Sequence, residues 1–253
     1  MDLGLKGRRA LVTAASKGLG RACAHALAAE GARVFISSRD GVLLEKVAKD
    51  MGAAGWHAAD MSVAGGPESA VEAAAATLGG LDILVVNAGG PPAANFQGTS
   101  LENWDTAHRL TLMSAVRLIK SALPHLKQSD QGRIVIVTSV SVRQPIPHLV
   151  LSNSVRAAVT GMAKTLSREI GPDGITVNCL APDAVLTDRL RYLAPAGVDV
   201  EEHLKRSAEA VPLRRMGDPT EFGATCAFLC SKQAGFITGQ TIGVDGGTLI
   251  GVH

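Results

Sequence analysis

The sequence predicts a single α/β domain built on a doubly wound parallel sheet with helices on both faces. Three observations predict it. Short apolar runs alternate with helical patterns from end to end, the order that right-handed β-α-β crossovers produce. Those runs are nearly continuous in Val, Ile and Leu, which suits strands covered on both faces. A glycine-rich turn, Thr13-Ala14-Ala15-Ser16-Lys17-Gly18-Leu19-Gly20, joins the first apolar run to the first helical pattern.

The elements follow in order. Strands are read at Arg9–Thr13, Arg33–Ser37, Gly55–Ala58, Ile83–Val86, Arg133–Ser139, Ile175–Leu180 and Thr241–Val244. The first helix carries Leu19, Ala22, Cys23, Ala26 and Leu27 at helical spacing. Further helices are read at about Leu43–Met51, Pro67–Leu78, Leu101–Leu126, Leu151–Ile170 and Thr220–Ser231. No repeat, low-complexity tract or linker divides the chain, so residues 1–253 form one domain. The charged, helix-prone stretch from Ala184 to Met216 exceeds an ordinary connection and reads as a lid or as a surface helix pair.

Composition narrows the function. The 253 residues are 46% hydrophobic, enough for a sizeable core. A net charge of +2 with scattered basic residues, and 3% aromatics, argue against a nucleic-acid surface. The polar stretch Met1 to Arg9 does not read as a signal peptide, and no apolar window is long enough for a membrane span. Cys23, Cys179, Cys226 and Cys230 read as small buried residues and not as metal ligands, which fits a reduced, cytoplasmic setting with no metal.

The glycine turn is a phosphate site in outline. Gly18 and Gly20 let the backbone approach a diphosphate, while the helix start offers free N–H groups and a positive dipole end. The second strand ends Ile36-Ser37-Ser38-Arg39. An acidic residue there would bind ribose hydroxyls and repel a 2′-phosphate; Ser38 and Arg39 do the opposite, with Lys17 in reach. This favours NADP(H) over NAD(H).

With the further landmarks Asp60-Met61, Asn87-Ala88-Gly89, Ser139, Pro182, Thr187 and Val244-Asp245-Gly246-Gly247, the chain resembles the short-chain dehydrogenase/reductase family over nearly its whole length. In outline it is similar to the 3-oxoacyl-carrier-protein reductases. The resemblance implies a Rossmann-type fold. It implies that Thr13, Ser16, Lys17, Gly18, Leu19, Gly20, Ser38, Arg39, Asp60, Met61, Asn87, Ala88, Gly89, Pro182 and Thr187 border the cofactor. It also implies a homodimer or homotetramer paired through the helices around Leu101–Leu126 and Leu151–Ile170 and through the last strand. Ala14 replaces the turn's first Gly, a mild change if its φ is negative.

The family's chemistry rests on a Ser, a Tyr, a Lys and an Asn. Counting thirteen on from Ser139 reaches Ser152, and four more reaches Arg156; Thr111 stands at the Asn position. The chain's one Tyr, Tyr192, lies far along the sequence. A phenol titrates near ~10 and an aliphatic hydroxyl near ~15.7, a gap of about 8 kcal/mol, so Ser152 is a poor replacement acid. Arg156 can oppose a developing oxyanion and could still hold the cofactor. His148, four residues before Ser152, carries an imidazole, a side-chain type suited to proton transfer, and is either a proton donor or a loop histidine. Arg143, Asn153 and Asp183 are candidate substrate contacts, each with a bland alternative as an exposed cation, a helix cap or a turn residue.

The sequence thus supports an NADP(H)-dependent oxidoreductase acting on a small carbonyl or alcohol through a rebuilt acid/base site. Two alternatives stay open. One is a non-catalytic NADP(H)-binding sensor or subunit partner. The other is a lyase or isomerase that keeps NADP as a structural group.

Overall fold

A computed structural model describes residues 1–195 and 197–252. Seven strands form one parallel sheet: β1 (Arg9–Thr13), β2 (Arg33–Ser38), β3 (Gly55–Ala58), β4 (Ile83–Val86), β5 (Arg133–Val137), β6 (Thr176–Pro182) and β7 (Thr241–Val244). Their spatial order is β3-β2-β1-β4-β5-β6-β7, so the winding reverses between β1 and β4. That is the doubly wound Rossmann-type architecture, and its reversal point is where ligands of such sheets bind. The register of β1 pairs Leu11 with Phe35 on one side and with Leu84 on the other.

The helices are α1 (Gly18–Ala29), α2 (Gly41–Met51), α3 (Gly66–Leu78), α4 (Leu101–Ala107), α5 (Ser114–Leu126), α6 (Val150–Glu169), α7 (Asp188–Tyr192), α8 (Val200–Ala210) and α9 (Pro219–Cys230). On one sheet face Val71, Leu118 and Val159 pack against Leu11, Leu84 and Ile136. On the other Cys23, Leu27, Leu44 and Phe222 cover Val12, Ile36 and Val85. Every β4 and β5 residue is buried, which is why those runs lack polar alternation. All four cysteines are buried and free. No described helix is long and apolar enough to cross a membrane.

Three local features depart from the sequence reading. The helix expected over Leu101–Leu126 is interrupted by a π-helical stretch, His108–Met113, that adds a widened turn around Thr111. β5 stops at Val137, and Ser139 instead caps a 3₁₀ turn over Val140–Val142. Ala14 has φ +47°, so the mild-substitution condition fails. The β1–α1 turn is tight enough to force the left-handed region, because the Ala14 carbonyl lies beneath Gly20 while the Ala15 N–H bonds Ser37 O at 3.1 Å.

Candidate active site

At the reversal point the strand ends part and a cleft of about 320 Å³ opens. Its walls come from the turn into α1, the Asn87–Gly90 segment after β4, Thr138 and Ser139 after β5, Ser152 and Arg156 on α6, and the chain from Pro182 to Leu193 after β6. Sequence-distant groups converge here because each follows the carboxyl end of its strand.

One end is built around backbone. α1 begins after Lys17 with no side-chain cap, which leaves its first N–H groups available. Gly20 is obligatory: a Cβ there would lie 2.4 Å from Ala14 O and 2.7 Å from Asn87 Nδ2. A Cβ on Gly89 would meet nothing within 4 Å, so the wall there stands back from its neighbours. Free N–H groups beside an open backbone wall fit a diphosphate. Thr187 packs beside Gly18 across the cleft mouth. On the β2 side the Ser16 and Ser38 hydroxyls lie 2.8 Å apart, with exposed Arg39 following. Burial works to raise the Asp60 carboxyl, but the Ser62 N–H and hydroxyl and the charge of Arg39 hold it below its ordinary value.

Several residues of the glycine turn and its surroundings act from behind the wall. Thr13 is fully buried; its hydroxyl donates to Asn87 O at 2.7 Å and accepts from Asn87 N at 2.9 Å, tying β1 to β4. Asn87 Nδ2 donates to Ala14 O at 3.4 Å. The Met61 side chain is in the core against Phe35. The Thr13 and Met61 side chains shape the cleft from behind, while Asn87 also lines it.

The other end gathers Ser139, Ser152, Arg156 and Asp183. Ser139 Oγ accepts from the Ser141 N–H at 3.1 Å, leaving its own O–H free to donate. Ser152 is 7% exposed and its hydroxyl has no hydrogen bond among the described residues. Arg156 Nη1 donates to Val137 O at 2.9 Å and Thr138 O at 3.1 Å, capping the end of β5. Burial pulls this guanidinium down to about 10, and the nearby charge of Arg189 adds to the effect. It therefore stays cationic at neutral pH. Asp183 shares the wall; burial pushes its carboxyl up and Asp245 adds to the rise, against hydrogen bonds from the Ala184 N–H and the Thr248 hydroxyl.

Three candidates are not brought into the cleft. His148 is exposed, with φ +61°, in the turn before α6, and its side chain does not line the cavity. Sequence proximity to Ser152 misled because α6 begins only at Val150. Arg143 reaches away, donating to Thr241 O at 2.8 Å on β7. Asn153 clips the preceding loop, its Nδ2 donating to Ile146 O at 2.9 Å.

Arg189 escaped the sequence reading. It lies on α7, is half-buried, donates from Nη2 to Pro91 O at 2.7 Å, and stacks 5.6 Å from the Tyr192 ring centre. Its one sequence signal is a cation two residues after Thr187, opposite a Gly-Pro-Pro wall. The segment carrying it is pinched at its base, where Leu186 N bonds Gly217 O at 2.9 Å and Gly217 N bonds Ala184 O at 3.0 Å.

Known proteins resemble this chain throughout. The family model described as enoyl-(acyl carrier protein) reductase matches residues 13–248. Dehydrogenase/reductase SDR family member 4 of Sus scrofa is 33% identical over 249 residues, covering 96% of this chain and 88% of that protein. Nodulation protein G of Rhizobium sp. (strain N33) is 34% identical over 247 residues, covering 96% and 97%. Among solved structures, L-sorbose reductase from Gluconobacter frateurii, complexed with NADPH and L-sorbose, superposes with a TM-score of 0.94 at 31% identity over the whole of both chains. YwfH, an NADPH-dependent reductase involved in bacilysin biosynthesis, superposes with a TM-score of 0.91 at 29% identity, covering 98% of this chain and 100% of that one.

Proposed function

This chain belongs to the short-chain dehydrogenase/reductase family of oxidoreductases, and on that premise we propose that it is an NADP(H)-dependent member acting on a small carbonyl or alcohol substrate through a rebuilt acid/base site. The observation that carries this reading is one cleft holding both the uncapped α1 start and the trio Ser139, Ser152 and Arg156. NADPH in the solved structures of similar chains supports the cofactor, as do Ser38 and Arg39 at the end of β2. The N–H groups of α1 would hold the diphosphate, and Arg39 with Lys17 the 2′-phosphate.

Bound there, the nicotinamide nucleotide would supply or accept a hydride. The chain's own groups manage the oxygen. The Ser139 and Ser152 hydroxyls donate hydrogen bonds that orient it. Arg156 opposes the negative charge that grows on it, a role that needs a fixed cation and no proton release. Neither serine is acidic enough to replace a phenol, so no positioned general acid serves the oxygen: it stays beside Arg156 as an anion until bulk solvent protonates it. Such a site runs slowly, because a positioned general acid contributes ~10²–10⁴-fold. Ala184–Met216 acts as the lid, hinged at the Gly217 pinch, with Leu190 and Leu193 facing the cleft. Exposed Phe236, Ile250 and Val252 toward the C-terminus suit pairing between copies as a homodimer or homotetramer.

The test is NADPH oxidation across a panel of 3-oxo thioesters, dicarbonyls and oxo acids, run beside a Ser152→Tyr/Arg156→Lys protein. Slow turnover by the native chain supports the reading. Turnover by the restored protein alone, on every substrate tried, establishes the non-catalytic reading instead.

A further inference from the structure

We propose that the substrate carries an anionic group, a carboxylate beside the reacting carbonyl, and that Arg189 is the residue that binds it. This rests on the oxidoreductase reading above and names the substrate class for the same site: a short oxo acid or the matching hydroxy acid.

The cleft's cations outnumber its carboxylates: Lys17, Arg156 and Arg189 line it with Asp183 and Asp188. Arg156 and Arg189 line the same cleft. Each gives one nitrogen to backbone carbonyls: Arg156 Nη1 to Val137 and Thr138, Arg189 Nη2 to Pro91. Among the described residues, neither forms a salt bridge, and the remaining guanidinium nitrogens of both have no hydrogen-bond partner. Burial lowers both guanidiniums, and the charge of Arg189 lowers Arg156 further, so the pair is held close at a cost. Partly buried cations normally keep a carboxylate partner. Asp183 and Asp188 do not serve as one: among the described residues neither forms a salt bridge with these arginines, and the Asp183 carboxyl takes bonds from the Ala184 N–H and the Thr248 hydroxyl instead. A ligand carboxylate would complete the set, and the planar guanidinium fork matches it.

The seat of Arg189 is specific. Its guanidinium lies against the Cα of Gly90, where a Cβ would come within 2.8 Å of Cζ and Nη2. The Pro91 carbonyl accepts from Nη2 at 2.7 Å, and the Tyr192 ring centre lies 5.6 Å from Cζ. Arg189 is thus held across the cleft from Ser139 and Arg156, while the cofactor's diphosphate already has the α1 N–H groups. That diphosphate is the other source of the same chemistry, and the experiment must separate the two.

The probes are 2-oxobutanoate and acetoacetate, each compared with its neutral methyl ester. Turnover is followed by NADPH oxidation, and binding by the effect of each probe on the fluorescence of protein-bound NADPH, a readout that needs no turnover. The native protein should favour each acid over its ester by about 30-fold, the range of a hydrogen bond to a charged group. Arg189→Gln should abolish that preference with NADPH affinity held within about threefold. Gly90→Ala, which displaces the guanidinium without deleting it, should weaken the preference likewise. Equal handling of acids and esters by the native chain overturns the inference and leaves the oxidoreductase reading standing. A loss of NADPH affinity above about tenfold in Arg189→Gln, with the acid preference unchanged, assigns this cation to the diphosphate and also overturns it. Where nothing turns over, the oxidoreductase reading fails and binding decides the inference: acid binding lost in Arg189→Gln upholds it, and no acid binding to native protein overturns it.

Discussion

Replacing Arg156 with Met separates a site cation from a structural clamp. Burial takes this guanidinium down to about 10, roughly two and a half powers of ten below its ordinary value, which corresponds to about 3 kcal/mol. Because the folded chain holds this proton less tightly than the unfolded chain, the penalty is fully present below about pH 10 and is relieved as pH rises above it. Met fills similar volume without charge and removes the penalty. It also unpairs Val137 O and Thr138 O, at roughly 1–2 kcal/mol for carbonyls that border a wet cleft. The net expectation at pH 7 is a gain of about 1 kcal/mol, with kcat/KM falling at least ~100-fold as the oxyanion loses its counter-charge. Urea denaturation and steady-state kinetics measure the two effects. The native pH profile should be flat from about pH 6 to 9 and fall near 10, where Arg156 becomes neutral. A variant that loses about 2 kcal/mol or more while turning over normally would show that Arg156 only ties down β5. A limb near pH 6–7 that His148→Ala removes would refute the placement of His148 outside the site.

Arg39→Asp should reverse a preference for NADPH over NADH of at least about tenfold, read by fluorescence titration; equal native affinities would remove the 2′-phosphate assignment. Asp82→Asn should cost about 2 kcal/mol at pH 7. Burial alone would raise that carboxyl, but bonds from Arg9 and Ser129 bring it to about 2. Its contribution is present above the ordinary carboxylate range and fades as pH falls through that range toward about 2, so equal losses at neutral and strongly acid pH would contradict it. Thr111→Val should stabilise the fold by about 1 kcal/mol, because the buried Thr111 hydroxyl has no partner among the described residues. A fall in turnover beyond about tenfold would show instead that this hydroxyl holds a water the reaction uses.

The architecture was legible because covered strands and amphipathic helices impose different periods on the same chain, and those periods survive substitution. The π stretch at His108–Met113 was not, since its residues are ordinary helix formers and the extra residue in the turn is fixed by packing against α6. Ala14 shows the same limit at one residue: the sequence allowed a negative φ, and only the closeness of Gly20 to the Ala14 carbonyl forbids it. The chemical site divides along similar lines. That Ser152 and Arg156 stand where a phenol and an ammonium would be needed follows from counting. That Arg156 caps β5, that His148 turns outward and that Arg189 folds back over Gly90 depends on backbone direction, which counting does not carry. The loss of the Tyr and Lys looks like a deletion of function when read by residue type alone. The proposed function gives it another sense. A Lys at position 156 could be neutralised readily as burial deepened, whereas Arg stays charged beside a second Arg. Under the proposed reading, a site that keeps two such cations unpaired has exchanged proton donation for charge, and a reaction whose substrate brings its own negative charge is where that exchange costs least.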